Sequence, residues 1–397
     1  MRVLVSCIPQ TGHLFPLLPL ADAFTAQGDE VLVASGADAA DAVTARGLRF
    51  REAGPPFGEW FAALQARTRG LPGDGLAPDR VERYFLPRLF GEVGTALVVD
   101  HLMATAADFR PDLLVFDPVM FAAPLVAARL SIRAVQHTVG PLYDATTLEL
   151  VSDAVSPIWR EFGLSAPPAA GMFGGTTLAV CPPSLDQGPA DGHGVLPLRP
   201  TELPKSDPAP LPHEFDEPDR PLVYVTLGTF SNTNLNLFRL VLDALSDEPV
   251  NVVMTVGRDN DPTLLPAPGN AHVAQFLPQA DVLPHCTAAV HHAGAGTTFG
   301  ILAHGLPSVA LPQSADNFTI ADRLAGTGAA QALSPGEVTA DAVRAALRSV
   351  LETASYRLAA ERLAAEIAAM PPPAEVAGHL THGGVTERPV GRYDSPT

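Results

Sequence analysis

Cysteine is nearly missing from this sequence: Cys7, Cys181 and Cys286 are the only three among 397 residues. An odd, widely spaced trio supports neither a disulfide framework nor the paired spacing of a zinc site, so a reducing cytoplasm is the expected setting. Positive charge is scarce too. Lys and Arg number 25 against 43 Asp and Glu, for a formal net charge of −18. Binders of a phosphate backbone need a basic footprint, so nucleic acid is excluded as a partner. Nor does any apolar run reach the roughly 20 residues that span a bilayer. The opening Met1-Arg2-Val3-Leu4-Val5 runs straight into a strand pattern without a cleavage-site signature, so neither a signal peptide nor stable membrane association is expected.

Apolar residues are plentiful, at 47% of the chain against 17% charged. A chain this long exceeds one ordinary core and divides into two domains of roughly 150–200 residues. Arg2 to Cys7 reads as a strand and Ile8 to His13, with Pro9 and Gly12, as a loop. Leu17, Leu20, Ala21 and Phe24 then recur at helical spacing until Gly28, and Glu30 to Ala34 forms the next strand. Such a βαβ unit implies a right-handed crossover and a parallel sheet. Leu113 to Phe116 is a further strand, closed by Asp117-Pro118. The proline holds Asp117 in extended or turn geometry at the strand's carboxyl end, where open parallel sheets bind ligands.

The stretch 54–79, rich in Gly, Pro and aromatic residues, reads as a loop over the site. The prolines and acids between Pro204 and Pro221 read as a stiff linker. The strand pattern then restarts at Leu222–Leu227, Asn251–Val256 and Ala288–His292, and an Ala-rich helical stripe runs from Asp341 to Met370. The expected fold class is α/β, with two Rossmann-like parallel-sheet domains facing across a cleft. The expected boundaries are 1–204, a Pro-rich linker at 205–220, and 221–370. A C-terminal helix at 371–383 is expected to pack back on the first domain, and a disordered tail to fill 384–397.

The strongest local chemical signal is His292-Ala293-Gly294-Ala295-Gly296-Thr297-Thr298. Small residues between a strand and a helix let backbone approach a ligand, and a helix N-terminus with free N–H groups attracts anions. A plain strand-to-helix turn reads equally well. The spacing matches neither the dinucleotide GxGxxG nor the phosphate-loop GxxxxGK[ST], which weighs against dehydrogenase and NTPase readings. His291 alternates to the other face of its strand and reads as packing.

Taken together, five separated motifs resemble inverting glycosyltransferases of the GT-B fold. They are Thr11-Gly12-His13-Leu14-Phe15-Pro16, Phe276-Leu277-Pro278-Gln279, His292 to Thr297, Gly305-Leu306-Pro307, and Pro312-Gln313 with Asp316-Asn317. The likeness covers nearly the whole chain. It points to the bacterial natural-product enzymes that decorate macrolides and enediynes, including those of the calicheamicin pathway.

The resemblance implies an acceptor-binding first domain and a nucleotide-sugar-binding second domain. Phe276, with Leu277 and Gln279 beside it, would stack on the base. His292 and the N–H groups of Gly296 and Thr297 would hold the diphosphate, Thr229 would face the phosphate or the acceptor, and Gly12, Arg258, Gly294 and Ala295 would also bind the donor. Asp316 and Asn317 would bind the sugar hydroxyls, although the family usually carries Gln where Asn317 stands. Where many UDP-sugar users place a Glu on the ribose, this chain has Gly300, which favours a dTDP-sugar donor and leaves a UDP-sugar as the alternative.

His13 is the candidate base, because an imidazole that titrates near neutrality can take the acceptor proton. Asp117 is the candidate orienter of that ring; its competing reading is a turn cap, and Asp112 at the opposite strand end reads as a cap. Phe57, Trp60, Phe61, Tyr84 and Tyr143 suit a flat apolar aglycone, and read equally as core. No metal-ligand cluster stands out in the sequence, so no metal and no cofactor beyond the donor is expected. Small-molecule donor and aglycone are the expected partners, for a monomer or homodimer. Competing functions are a nucleotide-sugar epimerase or hydrolase on the same fold, and a catalytically silent auxiliary protein.

Overall fold

The computed structural model describes residues 1–68, 78–141, 145–172, 174–186, 194–201, 215–228, 234–257, 260–314 and 316–382. The chain forms two compact units. One comprises Met1–Val180, Gly188–Thr201 and Pro371–Thr397; the other comprises Cys181–Gln187 and Glu202–Met370.

The first unit is built on β1 (Arg2–Ser6), β2 (Glu30–Ser35), β3 (Arg49–Glu52), β4 (Leu113–Phe116), β5 (Arg133–His137), β6 (Thr176–Ala179) and β7 (Val195–Pro197). They pair in the order β3-β2-β1-β4-β5-β6-β7, all parallel. Val3, Leu4 and Val5 are all buried, so both faces of β1 are covered. That is why its sequence reads as a continuous apolar run rather than an alternating one.

The second unit repeats the plan with β8 (Leu222–Thr226), β9 (Asn251–Thr255), β10 (Ala271–Ala274), β11 (Ala288–His291), β12 (Ser308–Ala310) and β13 (Ala330–Ala332). Their order is β10-β9-β8-β11-β12-β13, again all parallel. Each sheet therefore has a switch point, β1/β4 in the first and β8/β11 in the second, where successive crossovers leave in opposite directions. The carboxyl ends of the strands beside such a point form a crevice suited to ligands. This tandem of doubly wound domains is the GT-B architecture.

Three local expectations are corrected. The loop expected over Ile8 to His13 ends early: a helix begins at Thr11 and runs to Ala26. His13 N–H and Leu14 N–H both donate to the Gln10 carbonyl, at 2.9 Å each, which places His13 on the helix's first turn. Much of the loop expected at 54–79 is the helix Phe57–Thr68, which buries Phe57, Trp60 and Leu64. Those residues are three and four apart, one helical stripe that the neighbouring Gly58 and Pro56 obscure. Thirdly, the stripe from Asp341 to Met370 is two helices, Ala340–Glu352 and Ala354–Ala369, parted by an extended Thr353.

The helix Pro373–His382 belongs to the first unit. Gln27 Nε2 donates to the Ala374 carbonyl at 2.6 Å, and Arg133 Nη1 to that of Leu380 at 2.6 Å. Residues 202–214, most of the expected linker, and 383–397, which include the expected tail, lie outside the described residues. Among the described residues one helical stretch, Glu82–Phe109, has the length and composition to cross a bilayer, and 56% of its most apolar window is buried. Leu86, Leu89, Val93, Val98, Val99 and Leu102 from this stretch belong to the core of the first unit, as expected for a core helix of a globular domain.

Candidate active site

At the switch point of the first sheet, β1 and β4 deliver His13 and Asp117 to neighbouring strand ends. His13 Nδ1 lies 3.6 Å from Asp117 Oδ2, with His13 22% exposed and Asp117 fully buried. The carboxylate is held from two further sides. Its Oδ2 accepts the Ile8 N–H and its Oδ1 the Val119 N–H, each at 2.7 Å. The turn-cap reading of Asp117 is met by these backbone bonds, which also fix the carboxylate 3.6 Å from the imidazole, just beyond hydrogen-bond distance. With Nδ1 turned to Asp117, Nε2 is the ring nitrogen left to meet a substrate. At the opposite end of the sheet Asp112 accepts the Arg2 N–H at 2.7 Å, a strand cap as read from the sequence.

His137, at the end of β5, was not singled out in the sequence. Its Nδ1–H donates to the Thr138 carbonyl at 2.6 Å, and Nε2 has no partner among the described residues. Burial pushes its pKa down to about 4, against the pull of the nearby Asp117 charge. Phe15, two residues beyond His13, is 38% exposed, an apolar group on the same first turn. Of the proposed acceptor residues, Phe57 and Trp60 sit in the hydrophobic core, with Phe57 edge-on to Phe61 and stacked at 6.0 Å on Phe90. Gly94 makes room for Trp60, because a Cβ there would enter the indole. Phe61 and Tyr84 are half-buried. Tyr143 lies outside the described residues, as do Thr229 and Arg258.

In the second unit the described candidate donor residues gather at the carboxyl ends of β10, β11 and β12, one edge of the sheet. After β11 the chain turns through Ala293, at φ +63, and Gly294 into the helix Ala295–Ala303. No side chain caps this helix. The N–H groups of its first turn, Ala295, Gly296 and Thr297, lie beyond the reach of intrahelical acceptors. Gly296 is exposed, and a Cβ built on it would meet nothing within 4 Å. Its lack of a side chain is thus not demanded by packing, and it leaves open space over the N–H groups.

His292 folds in the other direction. A Cβ at Gly228, beyond β8, or at Gly294 would collide with its imidazole, so these two glycines create the slot in which the ring lies. Its Nδ1 is buried with no partner among the described residues. Burial lowers its pKa to about 4, outweighing a contact with the Thr226 backbone. In the free protein His292 is therefore a neutral ring rather than a positive charge, and the sequence could not reveal this.

Its neighbour His291 is more than packing. The ring is wholly buried, its Nδ1 accepts the Ala293 N–H at 3.2 Å, and its Nε2 faces Ser308 Oγ at 3.1 Å. Because Nδ1 accepts, the proton resides on Nε2, which donates to the serine. Burial, with repulsion from His292, pushes its pKa down to about 3.

Phe276 follows β10 and is 48% exposed, a large aromatic surface at this sheet edge. Leu277 is half-buried against the cluster of Val282 and Leu283, and Gln279 opens a short helix at Gln279–Val282. Asp316 and Asn317 begin the helix after β12, where buried Asn317 accepts the Ser314 N–H and donates to Asp316 Oδ1 at 3.5 Å. Gly300 lies buried in the second turn of the helix Ala295–Ala303. Among the described residues, no three or more His, Cys, Asp or Glu side chains are grouped as a metal ion would require. In the first unit Gly12, like Gly296, has open space where a Cβ would stand.

The depressed histidines carry a consequence for stability. Neutral when folded, His137 and His291 bind protons in the unfolded chain below about pH 6.5, so unfolding takes up protons there and stability falls with pH. The loss runs from about pH 6.5 to the folded values of about 4 and 3. It amounts to roughly 3 kcal/mol or more for each group, at about 1.4 kcal/mol per pKa unit. Denaturant unfolding measured between pH 7.5 and 4.5 is expected to show this decline, and to show less of it in His137→Gln. Equal slopes in the two proteins would rule out His137 as a source.

Comparisons with known proteins show the family and the fold. Residues 83–228 match the N-terminal domain of the family described as erythromycin biosynthesis protein CIII-like, and residues 239–382 its C-terminal domain. The chain is 33% identical over 390 residues to an L-demethylnoviosyl transferase of Streptomyces niveus, covering 96% of this chain and 97% of that one. Among solved structures it is similar to the glycosyltransferase SnogD of Streptomyces nogalater, with 30% identity, a TM-score of 0.77, and coverage of 96% and 98%. It is also similar to the glycosyltransferase VinC in complex with DTDP, with 27% identity, a TM-score of 0.74, and coverage of 96% and 98%.

Proposed function

The chain belongs to the erythromycin biosynthesis protein CIII-like family of natural-product glycosyltransferases, and from that premise we propose the following reaction. A deoxysugar passes from a dTDP-sugar to a hydroxyl of an apolar aglycone, with inversion at the sugar carbon. The observation that carries this reading is the pairing of His13 with the buried Asp117 at the switch point of the first sheet.

In this reading the aglycone lies on the first unit, with its reacting hydroxyl at His13 Nε2. As the hydroxyl oxygen bonds to the anomeric carbon, its proton moves to Nε2, and the bond from that carbon to the diphosphate oxygen breaks. The electron pair leaves on the diphosphate, and single displacement inverts the centre. Asp117 keeps the ring oriented through Nδ1 and stabilises the imidazolium that forms. Phe15, Phe61 and Tyr84 offer apolar contacts to the aglycone, while Phe57 and Trp60 support them from the core.

On the donor side, the departing diphosphate is stabilised by the N–H groups of Ala295, Gly296 and Thr297 and by the neutral His292. Preorganised dipoles of this kind act without reorganisation at the moment of reaction. This chemistry needs no metal ion. Phe276 stacks on the base, and Asp316 and Asn317 bind the sugar.

A thymidine donor is supported by Gly300, which presents no acceptor to a ribose 2′-hydroxyl, and by the likeness to VinC, whose structure contains DTDP. Turnover of matched dTDP- and UDP-sugars tests it. We expect kcat/KM to favour the dTDP-sugar by about tenfold or more, the scale on which a single contact discriminates. Equal or better use of the UDP-sugar would sink the thymidine assignment.

A further inference from the structure

We propose that His291 is a positioning residue for the donor diphosphate: through Ala293 it sets the direction of the N–H groups that open the helix Ala295–Ala303. The inference rests on the nucleotide-sugar reading of that helix. Ala293 is a non-glycine residue at φ +63, a left-handed conformation that a Cβ opposes. It is fully buried, and its N–H has an acceptor in His291 Nδ1 at 3.2 Å. Two residues later the uncapped first turn begins. A change in the Ala293 backbone angles swings every N–H that follows.

The ring that carries the acceptor is held from the neighbouring strand. In the parallel register of β11 and β12, Ala289 lies beside Ser308 and His291 beside Ala310. Residues two apart share a sheet face, which makes His291 and Ser308 diagonal neighbours. Ser308 Oγ, 3.1 Å from Nε2, accepts the N–H of that nitrogen, while the Ala293 N–H, which can only donate, keeps Nδ1 unprotonated. A strand-to-strand contact thus holds the ring, the ring's Nδ1 secures a strained turn, and the turn aims the anion site. None of the three side chains need touch the ligand.

Two amides separate the parts of the ring. In His291→Asn, Oδ1 takes the place of Nδ1 and can still accept from Ala293; in His291→Gln, the amide reaches toward Ser308 and leaves that N–H without its acceptor. Calorimetric titration with thymidine diphosphate is expected to show about a tenfold loss of affinity in His291→Gln and a much smaller one in His291→Asn. The donor KM should rise and the acceptor KM stay constant. Ala293→Gly in the His291→Gln background should recover most of the affinity, because glycine takes a positive φ without help. A merely structural histidine would move Asn and Gln variants alike and gain nothing from the glycine.

The role is overturned if wild-type protein binds thymidine diphosphate and His291→Gln binds within twofold of it, or if Asn and Gln are equally impaired without rescue. Should His291→Gln not fold, Ser308→Ala gives the same test in milder form, and unchanged affinity there overturns it. Wild-type protein that binds neither thymidine nor uridine diphosphate overturns the nucleotide-sugar reading, and this role with it.

Discussion

His13→Ala is expected to lower turnover by about a thousandfold, within the range that a positioned general base contributes, while thymidine diphosphate binds as in the wild type. The two effects separate because His13 belongs to the first unit and the candidate diphosphate residues to the second. His13 is also partly exposed, and its Nδ1, 3.6 Å from Asp117, has no hydrogen bond among the described residues, so removing it costs little folding energy. Steady-state kinetics alongside calorimetric nucleotide binding checks both halves. Transfer retained in His13→Ala would refute its assignment as the base.

Asp117 is expected to behave differently. Its two oxygens each accept a backbone N–H, from Ile8 and from Val119. An asparagine offers one carbonyl oxygen to that pair and sets its amide hydrogens against the other donor. An unsatisfied buried N–H costs about 1–3 kcal/mol. Asp117→Asn should thus lose stability as well as turnover, and only the comparison with His13→Ala isolates the chemical part.

The second large effect is expected at Gly296. A Cβ there meets no atom of the described residues within 4 Å, and a side chain in the first helical turn carries little conformational penalty, so Gly296→Val should keep stability within about 1 kcal/mol of wild type. The same side chain would stand over the N–H groups of Ala295, Gly296 and Thr297, in the space assigned to the diphosphate. Thymidine diphosphate affinity is expected to fall about a hundredfold or more, on the scale of losing several charge-assisted hydrogen bonds at 1.4 kcal/mol per factor of ten. Thermal unfolding and calorimetry on one preparation would check this. A Gly296→Val protein that is folded and binds normally would move the diphosphate away from this helix. Gly228 and Gly294 make the contrast: there a side chain collides with His292, so substitution should damage the fold of the loop as well as binding.

Much of this protein was legible in its sequence. The strand Leu113–Phe116 stands where the apolar run placed it, and β1, β2, β8, β9 and β11 differ by no more than a residue or so at their ends. Strands of a doubly covered parallel sheet must be apolar throughout, and the Gly and Pro that punctuate them are local signals. Asp117 was legible for the same reason, since a proline after a strand fixes where the carboxylate goes.

What escaped depends on partners distant in the chain. The start of the helix at Thr11 was hidden because Gly12 and Pro16 are poor helix formers whose cost is offset by burial of Leu14, Leu17 and Leu18. The helix Phe57–Thr68 was hidden among turn-forming neighbours until Trp60 found its space beside Gly94. The sequence by itself determined the tandem parallel-sheet plan and the glycine-rich turn that opens a helix after β11, because both follow from local residue type and spacing. Only the tertiary structure decided the surroundings of the histidines: His292 neutral in a slot between two glycines, His291 a single tautomer fixed by the Ala293 N–H, His13 turned toward a carboxylate 104 positions along. Desolvation and hydrogen-bond partners set those states, and both come from residues that meet only when the sheets assemble.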